Sequence, residues 1–592
     1  MKLVDIDKAL QICGNNNAYQ RILFMITVLT WFSVDFVSIT FPLLEIQPKY
    51  ECRDPSTNIW SECKEDKACK TDDYRETIIY NNIFSNFSLS CQTILVMLIG
   101  VTYTLGVFLG AFLGSKFADT FGRKPVILIN NFLFAVSCIS LTIAPSIYII
   151  FGILFFTGLT CAGGTMITFL MINESLATSK RSLYGTMINS SFSLAGIIYF
   201  LSFQYVNNWK VIAYISAAAN IISIVLIMMY VIESPRYLYV NQKYLKFFSS
   251  LHKLSRINGK SNDYLRYLKS DAIYINDGNN SSMDQSPTTT SKNTLTDSDE
   301  NIDDNKNNKS SSFSKENKGI NSETLLQSDN LSRSVSKSEI NHQINEIINR
   351  YNKMNSEKDK QQQEEVSLTR ASNLSSGLAP NQNATTAPKE IDVKYGFMSL
   401  LKYKSLRSNF LILNLSWFYC CFVYYGISMD LKNFTGDIFS NGYVVYSAEA
   451  VSYFVTGIII SRPFFGRIKT LSIMCVLNGI SCALYFFIEA QPYNKIFLFA
   501  ARFSITSIYS IMYIYSVEIY PTVIRAKGLG INILFARLGS LCVPILVELV
   551  NPLLIFSGLG IVTFIFTFFL PETLNRDLED DIEEEKKKVD AI

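Results

Sequence analysis

Long apolar runs alternate with short polar turns along most of this chain. A helix that crosses a bilayer needs about 20 mainly apolar residues. Twelve runs of that kind are counted, at roughly 21–44, 92–113, 126–144, 147–170, 184–206, 211–232, 408–428, 442–460, 470–488, 496–517, 528–549 and 551–570. The pattern predicts an all-α membrane protein with twelve transmembrane helices. The first run has a polar flank, Met1 to Gln20, and no small-residue cleavage site, so a retained helix is expected there rather than a removed signal. The expected plan is a cytoplasmic N-terminus (1–20), a six-helix half (21–232), a central loop (233–407), a second six-helix half (408–570) and a tail (571–592).

The central loop breaks the pattern. Its core, about 276–330, is rich in Ser, Asn, Asp and Lys and poor in large apolar residues. Disorder is expected there, because so little apolar surface cannot offset chain entropy. Its flanks return to helical spacing at Tyr244, Phe247, Phe248, Leu251 and Leu254, and again at Ile340, Ile344, Ile347, Ile348 and Tyr351. Short amphipathic helices are expected under the cytoplasmic face, where regulators of the loop could dock.

The polar edges of the runs repeat. Between the second and third lies Gly114-Ser-Lys-Phe-Ala-Asp119-Thr-Phe-Gly122-Arg123-Lys124, read as a short basic turn. Its Gly-Arg pair returns 344 positions later as Gly466 and Arg467, and the same offset carries Glu174 onto Glu518 and Arg181 onto Arg525. Four matches at one offset point to a duplication into two similar halves, one way in which secondary transporters are built.

Composition narrows the classes further. Of 592 residues only 17% are charged and 49% are hydrophobic, against roughly a quarter charged in a soluble protein. Two histidines, with no clustered Cys/His spacing, give no metal site, and there is no nucleotide-binding glycine loop or nucleophile elbow. No cofactor, no nucleic-acid partner and no enzymatic activity are expected. Lys116, Arg123, Lys124, Lys180, Arg181, Arg462, Arg467, Lys469, Arg525 and Lys527 fall in short loops on one side, whereas the opposite short loops hold only Lys210, Lys432 and Lys495. That bias places both termini in the cytoplasm. The outer loop 45–91 then holds Cys52, Cys63, Cys69 and Cys91, which suggests two disulfides in one of three connectivities. Asn86 and Asn433 lie in glycosylation sequons on the same side, although such triplets also arise by chance. Most of the other cysteines sit in apolar runs as packing residues.

Two sets of residues could carry chemistry. Asp119, Arg123, Glu174 and Arg181, with Arg467, Glu518 and Arg525 in the second half, lie at helix ends, where charge pairs form and break cheaply. They suit a cytoplasmic gate, with Gly114 and Gly122 allowing close approach; the plainer alternative is that they only enforce topology. Asp35, Glu449, Arg502 and Arg537 lie inside apolar runs, where a charge is costly and a functional role is the default reading. The alternative is pairing within the bundle, for example Asp35 with Arg502 or Arg537. A guanidinium such as Arg537 can grip a carboxylate or sulfonate by two parallel hydrogen bonds.

The Gly114 to Lys124 stretch resembles the signature loop of the major facilitator superfamily. Glu233-Ser-Pro-Arg236 resembles the motif after the sixth helix in sugar porters and organic-ion transporters. Glu518-Ile-Tyr-Pro-Thr-Val-Ile-Arg525, Leu570-Pro-Glu572-Thr573, Val423-Tyr-Tyr-Gly426 and the outer cysteines together resemble solute carrier family 22, over roughly 19–236 and 395–575. The resemblance implies a plasma-membrane transporter of small organic ions working by alternating access. It adds Lys124, Glu233, Arg236 and Glu572 to the gate. Arg537 matches the anion and carnitine branches, and Glu449 the acid of the cation and carnitine branches. An anion or a zwitterion such as carnitine is the first expectation and a cation the second. A coupling ion or counter-substrate and the lipid bilayer are the other partners. On pore-side helices Trp31, Phe32, Trp417, Phe418, Tyr424, Tyr425, Tyr509 and Tyr513 offer aromatic faces that attract ammonium groups; packing is the alternative for each, with Tyr424 and Tyr425 favoured as ligands. Two positions depart from the family: Pro463 replaces the second-half loop Asp, and no Arg stands near Leu154. The rivals are a proton-coupled sugar-type porter, with Asp35 as its protonation site, and a non-transporting receptor or scaffold acting through the central loop.

Overall fold

The structure, a computed structural model, describes residues 6–14, 17–53, 59–63, 65–70, 73–176, 178–268, 344–345, 349, 401, 404–460, 462, 464–488, 493–520 and 524–574. The expected disordered core at 276–330, nearly all of the apolar repeat from Ile340 to Tyr351, Pro463 and the side chains of Arg181 and Arg525 lie outside the described residues. Two compact units are distinguished. The smaller contains the helices Ile6–Ile12 and Ser261–Leu268, which pack on each other. The larger, from Cys13–Gly259 and Pro380–Ile592, contains everything that follows.

In its first half, α1 (Ala18–Leu44) is broken at Asp35 into Ala18–Val34 and Phe36–Leu44. Then come α2 (Thr93–Phe121), α3 (Arg123–Ile143), α4 (Ile147–Glu174), α5 (Thr178–Val206) and α6 (Trp209–Tyr230). The second half repeats the series as α7 (Lys404–Met429), α8 (Ile438–Ile459), α9 (Ile468–Phe487), α10 (Tyr493–Ile519), α11 (Arg525–Leu549) and α12 (Leu553–Thr567). Among the described residues, ten helices are long and apolar enough to cross a membrane. With α5 and the shorter α12 the arrangement is the twelve-helix one. Polar residues between the runs start the helices: the side chains of Ser146, Asn208 and Asp437 accept from the backbone N–H of Tyr148, Lys210 and Ser440.

The structure corrects the reading of residues 114–121. Gly114 and Asp119 are not in a turn; α2 continues through Phe121, and the chain turns only at Gly122. A polar segment stays helical because its backbone bonds close within the helix, whether or not its side chains are apolar. Gly114 lies where α2 meets α4, and a Cβ on it would come within 2.9 Å of the Gly163 backbone.

One end of the bundle carries the cysteine loop. It folds as a three-stranded antiparallel sheet of β1 (Lys49–Arg53), β2 (Trp60–Cys63) and β3 (Tyr74–Thr77), in the order β2-β1-β3. Of the three connectivities, the structure forms Cys52–Cys63 and Cys69–Cys91. Asn86 is exposed at the end of a short helix, Ile83–Asn86. Asn433 is exposed too, but its amide donates to Asp430 Oδ1 at 2.9 Å. This is the disulfide end; the opposite one is the Gly-Arg end. The short helix Pro235–Val240, opened by Ser234 and Pro235, follows α6 at the Gly-Arg end. Arg236 sits in its first turn. The helix Tyr244–Ile257 buries Phe247, Phe248, Leu251 and Leu254.

Candidate functional site

At the Gly-Arg end each half builds the same device. Arg123 donates through Nε and Nη2 to both carboxylate oxygens of Glu174, at 3.1 and 2.9 Å. Arg467 does the same to Glu518, at 3.2 and 2.9 Å. Parallel bidentate bonds of this kind are the strong form of the Arg–carboxylate pair. Each arginine opens a helix whose first N–H groups need acceptors. In the first half Glu233 accepts from the backbone N–H of Arg123 and Lys124. In the second half Glu572 accepts from those of Arg467 and Ile468, at 2.9 and 3.0 Å. The carboxylates press so closely on the turns that a Cβ on Gly122 would meet Glu233 Oε2 at 2.7 Å, and one on Gly466 would meet Glu572 Oε2 at 2.6 Å.

Glu233 and Glu572 are therefore counterparts, which the constant offset in the sequence did not reveal. The connection between helix six and the acid differs in length between the halves. The available signal was a carboxylate shortly after the last helix of each half. The further contacts also differ. Arg123 pairs with Asp119 at 3.1 Å, and its guanidinium lies 4.6 Å from the centre of the Tyr237 ring. Both arginines also donate through Nη1 to a backbone carbonyl, Arg123 to Ala118 at 2.9 Å and Arg467 to Ile460 at 2.6 Å. Lys124 Nζ donates to the carbonyl of Val231 at 2.7 Å. These pairs lie within a half, not across the two. Burial would raise the Glu572 carboxyl, but the backbone N–H groups of Arg467, Ile468, Leu574 and Thr573 outweigh it and hold the group below its ordinary value.

The charges inside the bundle separate into different roles. Glu449 and Arg502 are both fully enclosed. Arg502 donates to Glu449 Oε2 through Nε at 3.2 Å and Nη2 at 2.5 Å. Its Nη1 serves the Tyr424 carbonyl and Ser428 Oγ. Glu449 Oε1 accepts from the hydroxyls of Tyr424 and Tyr453 at 2.9 and 3.4 Å. This is a saturated buried pair, so Arg502 does not partner Asp35. Arg537 is different. It is partly exposed, and its Nη1 donates to the Tyr425 hydroxyl at 3.1 Å. No carboxylate among the described residues forms an ion pair with it.

Asp35, at the break in α1, is buried. Its Oδ1 accepts from the Cys161 thiol at 3.1 Å, and its Oδ2 has no hydrogen-bond partner. A narrow cleft lies between the halves, lined by Ser38, Ile39 and Phe192 from the first and by Tyr424, Tyr425 and Arg502 among others from the second. An aromatic wall continues it. Tyr424 stacks on Tyr509 at 5.4 Å, and Trp417 packs edge-on against Tyr513 at 4.8 Å while its Nε1 donates to Ser516. Trp417 is 1% exposed, so it supports that wall from behind.

The sequence profile of the Major Facilitator Superfamily matches residues 23–275. Over 491 residues the chain is 23% identical to organic anion transporter 3 of Mus musculus, covering 81% of this chain and 70% of that one. It is 32% identical over 209 residues to solute carrier family 22 member 6-A of Xenopus laevis, covering 33% of this chain and 36% of that protein. It is 30% identical over 195 residues to organic cation/carnitine transporter 2 of Rattus norvegicus, covering 31% and 34%. The two stronger identities thus span about a third of those relatives. The fold is similar to the xylose transporter XylE from E. coli in a partially occluded inward-open conformation, with a TM-score of 0.53 and 12% identity over 95% of this chain and 99% of that one. In its profile match, its relatives and its twelve-helix architecture, the chain is similar to the major facilitator superfamily and, within it, to solute carrier family 22.

Proposed function

We propose that this protein moves small organic anions, or zwitterions held by their carboxylate, across a membrane by alternating access, with Arg537 gripping the anionic group. The observation that carries this reading is the contrast between two guanidiniums, Arg502 in the lining of the cleft and Arg537 bonded to the Tyr425 hydroxyl of that lining. Arg502 is consumed by Glu449, whereas Arg537 keeps donors available and has a tyrosine hydroxyl as its partner. A bound carboxylate or sulfonate would satisfy those donors in parallel. Because Glu449 is neutralised, a cationic group would meet mainly aromatic faces, at Tyr424, Tyr425 and Tyr509, which attract ammonium groups more weakly than a free carboxylate. The relatives named for organic anions and for organic cation/carnitine agree with this choice of substrate class.

The Gly-Arg devices of the two halves would hold each half rigid as the halves rock, and form the cytoplasmic gate together with Arg181, Arg236 and Arg525. The disulfide end faces outward at the plasma membrane in this reading, and both termini face the cytoplasm. Disulfides belong to oxidising compartments, and the basic loops cluster at the other end. A counter-substrate or coupling ion would complete the cycle.

Uptake of a labelled aromatic carboxylate into cells tests the reading. Arg537→Ala should reduce it at least a hundredfold at unchanged surface expression, with Arg537→Lys in between. Full uptake by Arg537→Ala would remove Arg537 from the site.

A further inference from the structure

At the disulfide end the halves meet through charge. Lys432 lies on the short 3-10 turn Asp430–Asn433 that follows α7. Its ammonium donates to Glu45 Oε2 of the first half at 2.8 Å, and to Glu548 Oε1 of the second. The side chains are only 5%, 1% and 12% exposed for Lys432, Glu45 and Glu548. Glu45 is held in place from both sides, because Asn82 Nδ2 donates to the carbonyls of Leu43 and Ile46. The other hydrogen bonds between described residues of the two halves lie nearby: Tyr446 to the Ile39 carbonyl at 2.9 Å and Tyr443 to Gln204 at 2.6 Å.

We propose that Glu45, Lys432 and Glu548 form a latch that keeps the cleft shut at the disulfide end, and that Glu45 takes up a proton when the latch closes. The proposal rests on the alternating-access reading above. Lys432 and Glu548 belong to one half and would move together when the halves rock apart. The contact that must break is Lys432 to Glu45, which leaves Glu45 in water. When the latch is closed, one ammonium faces two carboxylates in a dry site, and Asp430 is buried behind it. The uncompensated negative charge is costly there. Glu45 Oε1 has no hydrogen-bond partner, so it is the oxygen on which a proton relieves that charge.

The groups acting on Glu45 agree with this. Burial pushes its carboxyl up, Lys432 pulls it down and Glu548 pushes it up, which brings it to about 7. In the open, hydrated state it returns to the usual value of about 4.3. The value is higher in the closed state, so closing binds a proton. The closed state is fully favoured below about pH 4 and loses that advantage as pH rises through about 7. Acid outside therefore holds the latch shut, and the closed-to-open ratio falls about tenfold between pH 6 and pH 8.

The test needs no transported substrate. Ile39 lines the cleft beside the latch, and an Ile39→Cys reporter in the full chain on intact cells is labelled from outside with a membrane-impermeant maleimide. The chain without the reporter supplies the background, and every rate is divided by that of a freely exposed cysteine reporter at the same pH, because the thiolate that attacks the maleimide itself increases with pH. The normalised rate should be about tenfold faster at pH 8 than at pH 6. Adding Glu45→Gln should give one slow rate at both values, because a neutral side chain mimics the protonated acid. Adding Lys432→Ala should give faster labelling than the parent at both, because the ion pair between Lys432 and Glu45 across the seam is gone. Preserved pH dependence in the Glu45→Gln chain would overturn the proposal, as would a surface-expressed Lys432→Ala chain labelled no faster than the parent. If Lys432→Ala fails to reach the surface, the Glu45→Gln comparison decides alone. A chain that takes up no organic anion yet shows these labelling rates would refute the substrate assignment and leave the latch standing.

Discussion

The two Gly-Arg devices share a plan and differ in their reserves. Both join an arginine to a carboxylate at the end of the fourth helix of its half, and both cap the start of the third helix with a second carboxylate. The first half adds Asp119 and the Tyr237 ring around its arginine; the second adds a Thr573 hydroxyl that donates to Glu518 at 2.6 Å. Duplication has kept the contacts that satisfy buried groups and let the exposed ones drift. Asp119 is 66% exposed, and a pair that exposed is screened and weak. Losing its equivalent in the second half is therefore a small change.

The largest test of the comparison is at the glycines. Gly122 has φ +108° and ψ 164°, a region essentially closed to other residues, whereas Gly466 at φ +65° lies in the left-handed region that other residues enter at lower cost. A Cβ at either site also strikes a carboxylate. Gly122→Ala should destabilise the protein by about 3 kcal/mol, and Gly466→Ala by about 1–2 kcal/mol. Thermal unfolding of the purified protein in detergent, with surface expression, would rank them. Equal effects would mean that the carboxylate contact, not the backbone, sets the requirement.

The next test is at the paired acids. Glu174→Gln leaves Arg123 with Asp119 and the Ala118 carbonyl, and Glu518→Gln leaves Arg467 with the Ile460 carbonyl. Each should cost about 2 kcal/mol, less than the loss of a partner from a fully buried pair. Glu518→Gln should cost more, by up to about 1 kcal/mol. Adding Asp119→Asn to Glu174→Gln should remove the difference; a difference that persists would assign it to Tyr237 instead.

Much of this was legible in the sequence because it depends on period and type. Twelve apolar runs, the Gly-Arg repeat and the acids at matching offsets are one-dimensional signals. What was not legible depends on partners chosen in three dimensions. The correspondence of Glu233 with Glu572 is hidden by unequal connections. The choice of Glu449 for Arg502, which leaves Arg537 with Tyr425, follows from helix packing across the second half. Lys432 counted only as a sparse charge on the less basic side, although it joins two acids, one from each half. The polar stretch before Gly122 was misplaced as a turn because hydropathy reports burial in lipid and not helicity.

The smallest effect concerns pH at the second-half cap. Four backbone N–H groups hold the Glu572 carboxyl below its ordinary value, and they can do so only while it is ionised. A group lowered by folding contributes stability above its unfolded value of about 4.3 and loses it as pH falls through the lowered one. Glu572→Gln should therefore lower the unfolding temperature at pH 7 by a few degrees. The gap from the parent chain should shrink as pH drops from about 5 toward 3, because the parent loses its carboxylate while the variant has none to lose. Unfolding temperatures of both chains across that range decide it. The group is partly exposed, so solvent screens the contribution and a gap of more than a few degrees would be unexpected. A gap that stays constant with pH would show that the neutral acid serves the backbone N–H donors as well as the carboxylate does, and that the cap works by shape rather than by charge.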